Sequence, residues 1–250
     1  MSTPATTVSV VTGGANGLGA AIARRLHAGG GRVAVADLDG EAARQLAEEL
    51  DGSGSTARGY GVDVADRRAI EGLLVEVVAD LGDVQVLVNN AARTQARPLL
   101  EITTEELEAV MTVNVHGTFQ ACQVFAAHMV GHGYGRIVNI ASLAGQNGGT
   151  ATGGHYASSK GAVLAATKVF ARELAATGVT VNAISPGPLD TATVRGIVGA
   201  DKLEAFAESI PVRRLGDPDF IAEMVALLAS PGASSVTGAC WDANGGLYVR

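Results

Sequence analysis

Thr12-Gly13-Gly14-Ala15-Asn16-Gly17-Leu18-Gly19 stands between an apolar run at residues 8–11 and a segment, residues 20–27, that sets Ile22 and Leu26 on one helical stripe. A glycine-rich turn between a strand and a helix suits a phosphate-binding crossover. Gly13 permits the tight turn, while Gly17 and Gly19 let backbone and helix approach a pyrophosphate closely. The helix start adds unpaired N–H groups and a positive dipole end. Asn16 and Leu18 lie in the same loop and join it as candidate cofactor contacts.

Outward from this loop the chain keeps one rhythm. Short runs rich in Val and Ile at 8–11, 32–36, 57–62, 84–88, 135–140, 179–184 and 235–240 read as buried parallel strands. Helical spacing occupies 20–27, 41–50, 67–80, 105–130, 156–176 and 219–228. Strand–helix alternation throughout predicts an α/β fold: a doubly wound, seven-stranded parallel sheet with helices on both faces. No Pro/Ser-rich linker interrupts residues 1–250, so one dinucleotide-binding domain is expected. The rhythm breaks only at 191–217, a substrate-covering excursion with a short helix at 201–209.

Composition narrows the function classes. Lys and Arg total 18 against 25 Asp and Glu, a net charge of −7, so neither nucleic acid nor an anionic membrane is an expected partner. The residues before the first strand lack the basic start of a signal peptide. The stretch 109–135 has no Asp, Glu, Lys or Arg, yet its Asn114, three His and several Gly do not suit a membrane span. Two distant cysteines, Cys122 and Cys240, argue against a disulfide scaffold or a zinc site. The expected setting is soluble, reducing and cytoplasmic.

Asp37 follows the second strand, 18 residues past Gly19, where a dinucleotide fold places an acid on the adenosine ribose hydroxyls. Its carboxylate would repel a 2′-phosphate, and Asn16 offers no charge to attract one, so NAD is expected over NADP. Asp63, ending the third strand, could bond the adenine amino group, although an acid there also suits a helix cap. Asn89-Asn90-Ala91-Ala92 after the fourth strand brings small residues past the cofactor ribose, or forms a simple Asx turn. Tyr156 and Lys160 share a helix face at i and i+4, downstream of Ser142. A Tyr hydroxyl titrates near 10, too high for proton transfer at neutral pH, and a nearby ammonium brings it toward a useful range. Ser142 can bond the same substrate oxygen.

The Gly loop at 12–19, Asn-Asn-Ala at 89–91, Ser142, Tyr156-x-x-x-Lys160 and Pro186-Gly187 together resemble the short-chain dehydrogenase/reductase family in its single-domain form, from Val8 to Gly246. The resemblance implies a Rossmann fold and hydride transfer between nicotinamide C4 and a carbonyl or alcohol carbon. It implies Tyr156 as general acid/base, Lys160 on the nicotinamide ribose and lowering the tyrosine pKa, and Ser142 polarising the carbonyl. It further implies a relay water on Asn114 and a carboxamide bond from Thr191. Leu38, Val64, Asn90, Ala91, Pro186, Gly187 and Leu189 complete the implied cofactor contacts. A small-molecule alcohol or ketone substrate and a homotetramer built on the two long helices are implied as well.

Two departures stand out. Ala92 replaces the family's usual Gly, and Ser142 and Tyr156 are separated by a Gly-rich segment one residue longer than is common. A rival of the same class is an NADPH-dependent 3-oxoacyl-thioester reductase of the acyl-carrier-protein type, against which Asp37 counts. A dinucleotide sensor without turnover is disfavoured by the intact Ser142, Tyr156 and Lys160. An S-adenosylmethionine methyltransferase would have no use for Tyr-x-x-x-Lys. His128 and His132 have the spacing of a metal-binding helix face but no evident third ligand, so no metal is expected and a capping or surface role is. His155 is placed at a loop mouth, Trp241 in packing near the C-terminus, and Arg213-Arg214 in solvent.

Overall fold

The computed structural model of the chain describes residues 7–149, 152–199 and 202–249. Expectations that fall on residues 1–6, 150–151, 200–201 and 250, among them the extreme N-terminus, part of the Gly-rich segment and the start of the 201–209 helix, lie outside the described residues.

Seven parallel strands form one sheet in the order β3-β2-β1-β4-β5-β6-β7. They are β1 (Val8–Thr12), β2 (Arg32–Asp37), β3 (Ala57–Gly61), β4 (Val84–Asn89), β5 (Gly135–Ile140), β6 (Val179–Pro186) and β7 (Cys240–Ala243). On one face α1 (Gly17–Ala28), α2 (Gly40–Leu50) and α10 (Pro218–Leu228) pack Ile22, Leu26, Leu46, Ile221 and Val225 against Val11, Val33, Val35, Val86 and Val138. On the other, α3 (Arg67–Leu81), α5 (Thr118–Gly131) and α7 (Gly154–Leu174) pack Ile70, Val77, Phe125, Met129 and Ala171 against Val10, Ala34, Leu87, Ile137 and Val181. Alternate strand residues serve opposite faces, and in β1, β4, β5 and β6 nearly every residue is buried, so the central strands read as largely apolar runs, whereas the edge strands β3 and β7 are partly exposed.

Helix starts follow local chemistry. Asp39 accepts from the Glu41 and Ala42 amides before α2, Asp66 from Arg68 before α3, and Asp217 from Asp219 before α10. Thr103 and Glu106 form a capping box at α4 (Thr104–Met111).

Three expectations are corrected. The single helix over 105–130 is α4 and α5 joined by a π-helical turn, Thr112–Gly117. Asn114 is fully buried in that turn, with its side chain bonded to the Arg93 backbone and to Ser159, which the extra residue per turn permits. The last strand runs Cys240–Ala243 and not 235–240. Before it, side chains share the pairing with the backbone: Thr237 accepts from the Val181 amide, Asn182 bonds both Val236 O and Ala239 N, and the Gly238 amide donates to Val181 O at 2.8 Å. Gly238, at φ 74°, then turns the chain into register. The 191–217 excursion holds two short helices where one was expected: α8 (Ala192–Val198), capped by Thr191, and α9 (Leu203–Glu208). One further short helix, α6 (Ala144–Asn147), follows β5.

Phe125 is wholly buried between α5 and the sheet. Phe125→Ala is expected to lower the free energy of unfolding by about 3–5 kcal/mol, read as a fall in urea midpoint. A loss below about 1 kcal/mol would contradict this packing.

Candidate active site

Strand order reverses between β1 and β4, and the crossovers after them leave on opposite faces of the sheet. A crevice opens there beyond the strands' carboxyl ends. Thr12, the last residue of β1, holds its two sides together. Its hydroxyl accepts from the Asn90 and Ala91 amides at 3.1 and 3.2 Å and lies 3.3 Å from Val88 O, to which it donates. The Asn90 amide group donates to Gly13 O at 2.8 Å, tying the loop after β4 to the glycine loop.

The glycine positions are set by contact. A Cβ on Gly19 would lie 1.9 Å from Gly13 O, and one on Gly13 would lie 2.7 Å from Ala91 Cα. Gly17 differs: its φ is +53°, and a Cβ there would have no atom within 4 Å. It faces the open cavity at the start of α1, whose N-cap residue Asn16 makes no side-chain capping bond. The first-turn amides are thus free to meet an anion, which is the fit a pyrophosphate requires.

Asp37 closes β2. One carboxylate oxygen accepts from the Ala15 amide at 3.0 Å and the other from Asp39 at 3.1 Å, so the acid is fixed beside the loop. Asp63 follows β3 and accepts from the Ala65 amide at 2.9 Å.

The second group sits across the crevice on the first turns of α7. Lys160 is only 3% exposed, and its ammonium donates to Ile140 O, the last residue of β5, at 2.6 Å. Burial pulls its pKa down to about 8. The ammonium lies 5.8 Å from the centre of the Tyr156 ring. Burial pushes the Tyr156 phenol above its ordinary value, and a hydrogen bond with Ser142 pulls it back. The close contact of Lys160 is therefore with the Ile140 carbonyl rather than the phenol. Ser142 also accepts from the Ala144 amide at 3.1 Å, which orients its hydroxyl.

One cavity of ≈650 Å³ is lined by Gly13, Asn16, Gly17, Leu18, Gly19, Asp37, Leu38, Asp63, Val64, Asn90, Ala91, Ser142, Tyr156, Lys160, Pro186, Gly187, Leu189 and Thr191. Asn114 is the exception among the expected site residues: it lies behind the wall, bonded to Arg93 and Ser159. Thr191 carries a second duty, since its hydroxyl accepts from Val194 N at 3.3 Å to start α8. Reading the sequence missed Ser159. It is fully buried, donates to Tyr156 O at 2.7 Å and accepts from Asn114 Nδ2 at 2.9 Å, linking the π turn to α7. Its only signal was its place between Tyr156 and Lys160. Ala92 also lines the cavity, as do Arg93 and Thr94, which carried no signal. Cys122 is a buried thiol, and Trp241 packs at the edge of the core.

The profile of the family described as Enoyl-(Acyl carrier protein) reductase matches residues 13–248. The chain is 38% identical over 247 residues to 4-formylbenzenesulfonate dehydrogenase of Comamonas testosteroni, covering 97% of this chain and 98% of that protein. It is 40% identical over 241 residues to acetoacetyl-CoA reductase of Rhizobium meliloti, covering 96% and 98%. The chain belongs to the short-chain dehydrogenase/reductase family. Its similarity extends to the 3-oxoacyl-[acyl-carrier-protein] reductase of Vibrio cholerae, 34% identical over 242 residues, 97% of each chain. It is an oxidoreductase of that family, on a Rossmann-like sheet, and short-chain dehydrogenases/reductases work with nicotinamide cofactors. Among the described residues no helix is long and apolar enough to cross a membrane.

Lys160 gives this short-chain dehydrogenase/reductase a testable cost. Its folded pKa, about 8, lies below the ordinary 10.5, so the unfolded chain binds more protons between those values. Its contribution to stability therefore rises with pH across that window, and below it the buried ammonium is a net penalty. Lys160→Met is expected to raise the unfolding free energy near neutral pH by about 1–3 kcal/mol, with the gain fading as pH climbs through 8 toward 10.5. Urea denaturation across that range reads it. Equal destabilisation at every pH would contradict the assignment.

Proposed function

We propose that the protein is an NAD(H)-dependent oxidoreductase that moves a hydride between nicotinamide C4 and the carbon of a secondary alcohol or ketone. The observation that carries this reading is Asp37. Its carboxylate is pinned by the Ala15 and Asp39 amides where the adenosine ribose of a dinucleotide on the Gly loop would lie. The cations lining the same cavity, Arg93 and Lys160, come from the loop after β4 and from α7. Bound nicotinamide supplies the hydride acceptor or donor. The chain's own residues handle the proton: Tyr156 Oη takes it from the substrate hydroxyl in oxidation and returns it in reduction. Ser142 Oγ holds the substrate oxygen, and the two hydroxyls together stabilise charge developing there. Lys160 holds the nicotinamide ribose. Asn114, locked between Arg93 and Ser159, positions the helix that carries Tyr156.

The substrate side favours a compact, uncharged molecule. Beyond Tyr156 lies a cavity of ≈270 Å³ walled by Ser142, Val194, Val198, Phe206, Ile210 and Leu247, and none of its described lining residues is charged. Residues 1–250 form one domain in this reading, with 191–217 covering the substrate. Exposed Phe119 and Val169 on α5 and α7 supply apolar surface for a homotetramer, and the reading places the enzyme in the cytoplasm. A second reading, an NADPH-dependent 3-oxoacyl-thioester reductase, is favoured by similarity to acetoacetyl-CoA and acyl-carrier-protein reductases.

Titration by nicotinamide fluorescence is expected to show NADH bound at least tenfold more tightly than NADPH. Asp37→Asn should narrow that gap about tenfold or more, the worth of a charge-assisted hydrogen bond. Tighter binding of NADPH, with turnover of acetoacetyl-CoA, would install the second reading. Tyr156→Phe is expected to lower kcat by about 10²–10⁴ while leaving NADH affinity unchanged. Retained turnover would remove the proton role from Tyr156.

A further inference from the structure

His128 and His132 stand one turn apart at the end of α5, at the sheet's amino edge and away from the crevice. The sequence offered no third ligand to this pair. The fold brings one: Asp83, in the short connection between α3 and β4. Its carboxylate oxygens lie 3.4 Å from His132 Nε2 and 3.8 Å from His128 Nε2, and the ligand atoms of the three residues all fall within 4.8 Å of one another.

The tautomers decide what this cluster can hold. His132 Nδ1 lies 2.9 Å from His128 O, a carbonyl that only accepts, so Nδ1 carries the hydrogen and the neutral ring presents a lone pair at Nε2. His128 Nε2 accepts from the Val84 amide at 3.2 Å, so it too is a lone-pair nitrogen. Two imidazole nitrogens and a carboxylate therefore come within 4.8 Å of one another, the His128 lone pair being held by the Val84 amide and that of His132 by no bonded hydrogen of its own ring.

We propose that Asp83, His128 and His132 bind one divalent transition-metal ion of the zinc class, clipping the end of α5 to the start of β4. In a tetrahedral site with bonds of 2.0–2.2 Å, ligand atoms lie about 3.3–3.6 Å apart; the 3.4 and 3.8 Å separations, one to each Asp83 oxygen, lie near that range, and one ligand atom from each residue falls within 4.8 Å, so the side chains draw together on binding. Imidazole donors select zinc, nickel or copper over magnesium or calcium. The His132 Nδ1 bond to a backbone carbonyl is the outer contact that fixes a metal-binding imidazole. Binding gives up the Val84–His128 bond, since both use one lone pair. Asp83 and His132 are each about half exposed, which leaves an entry path and vacant coordination positions for water.

Tag-free protein stripped with EDTA, titrated calorimetrically with zinc chloride and then magnesium chloride, tests the proposal. One zinc ion per chain is expected, with no magnesium uptake. His132→Ala and Asp83→Asn should each weaken zinc at least tenfold and leave NADH affinity unchanged, which also certifies that both variants fold. Absence of zinc binding would overturn the site. So would zinc binding of equal strength in both variants.

Discussion

The reversal of strand order between β1 and β4 is the constraint on which everything functional here depends. Two neighbouring strands that send their crossovers to opposite faces cannot cover their own ends. The gap needs a device that keeps it from collapsing or splaying. Thr12 supplies it, with one hydroxyl serving the Asn90 and Ala91 amides and the Val88 carbonyl. Asn90 returns the tie to Gly13. The glycine loop, Asp37 and the loop after β4 are therefore one rigid rim.

The opposite rim is held by polar groups within the core. Asn89 donates to Asn139 at 2.8 Å, and Asn139 donates to Thr167 at 2.9 Å, so β4, β5 and α7 are joined beneath the turn that carries Tyr156 and Lys160. Lys160 adds the Ile140 bond, and Ser159 joins α7 to the π turn through Asn114. Each group is satisfied, as buried polar networks must be to favour one arrangement. Lys160 is the exception in energy: its ammonium is desolvated with only a carbonyl for company, a cost borne at a functional position.

Much of this was legible in the residues. The central strands are buried on both faces and announce themselves as apolar runs, the Gly loop between a strand and a helix carries its own signal, and the Tyr156–Lys160 spacing, common by chance alone, gains its weight beside that loop and Ser142. The seventh strand was misplaced because residues 235–240 have the apolar character of a strand, whereas the Thr237 and Asn182 side chains, whose partners lie far along the chain, take a share of the bonds that a strand makes backbone to backbone. The break at Thr112–Gly117 was invisible for a related reason: nothing in a local window tells a π turn from an α turn, and its cause, the burial of Asn114 against Arg93 and Ser159, is tertiary. α8 went unread because its cap, Thr191, had been given to the cofactor alone. Asp83 became a partner of His128 and His132 only through the packing of α5 beside β4.

The central claim is that the two rims hold the two ends of one NAD molecule. A crystal structure of the protein soaked with NAD⁺ tests it most directly. The account predicts the adenosine ribose hydroxyls on the Asp37 carboxylate, the pyrophosphate over Gly17, and the nicotinamide ribose on Lys160 Nζ beside Tyr156. A dinucleotide bound with its adenosine ribose turned away from Asp37, or with its nicotinamide out of reach of Tyr156, would contradict it.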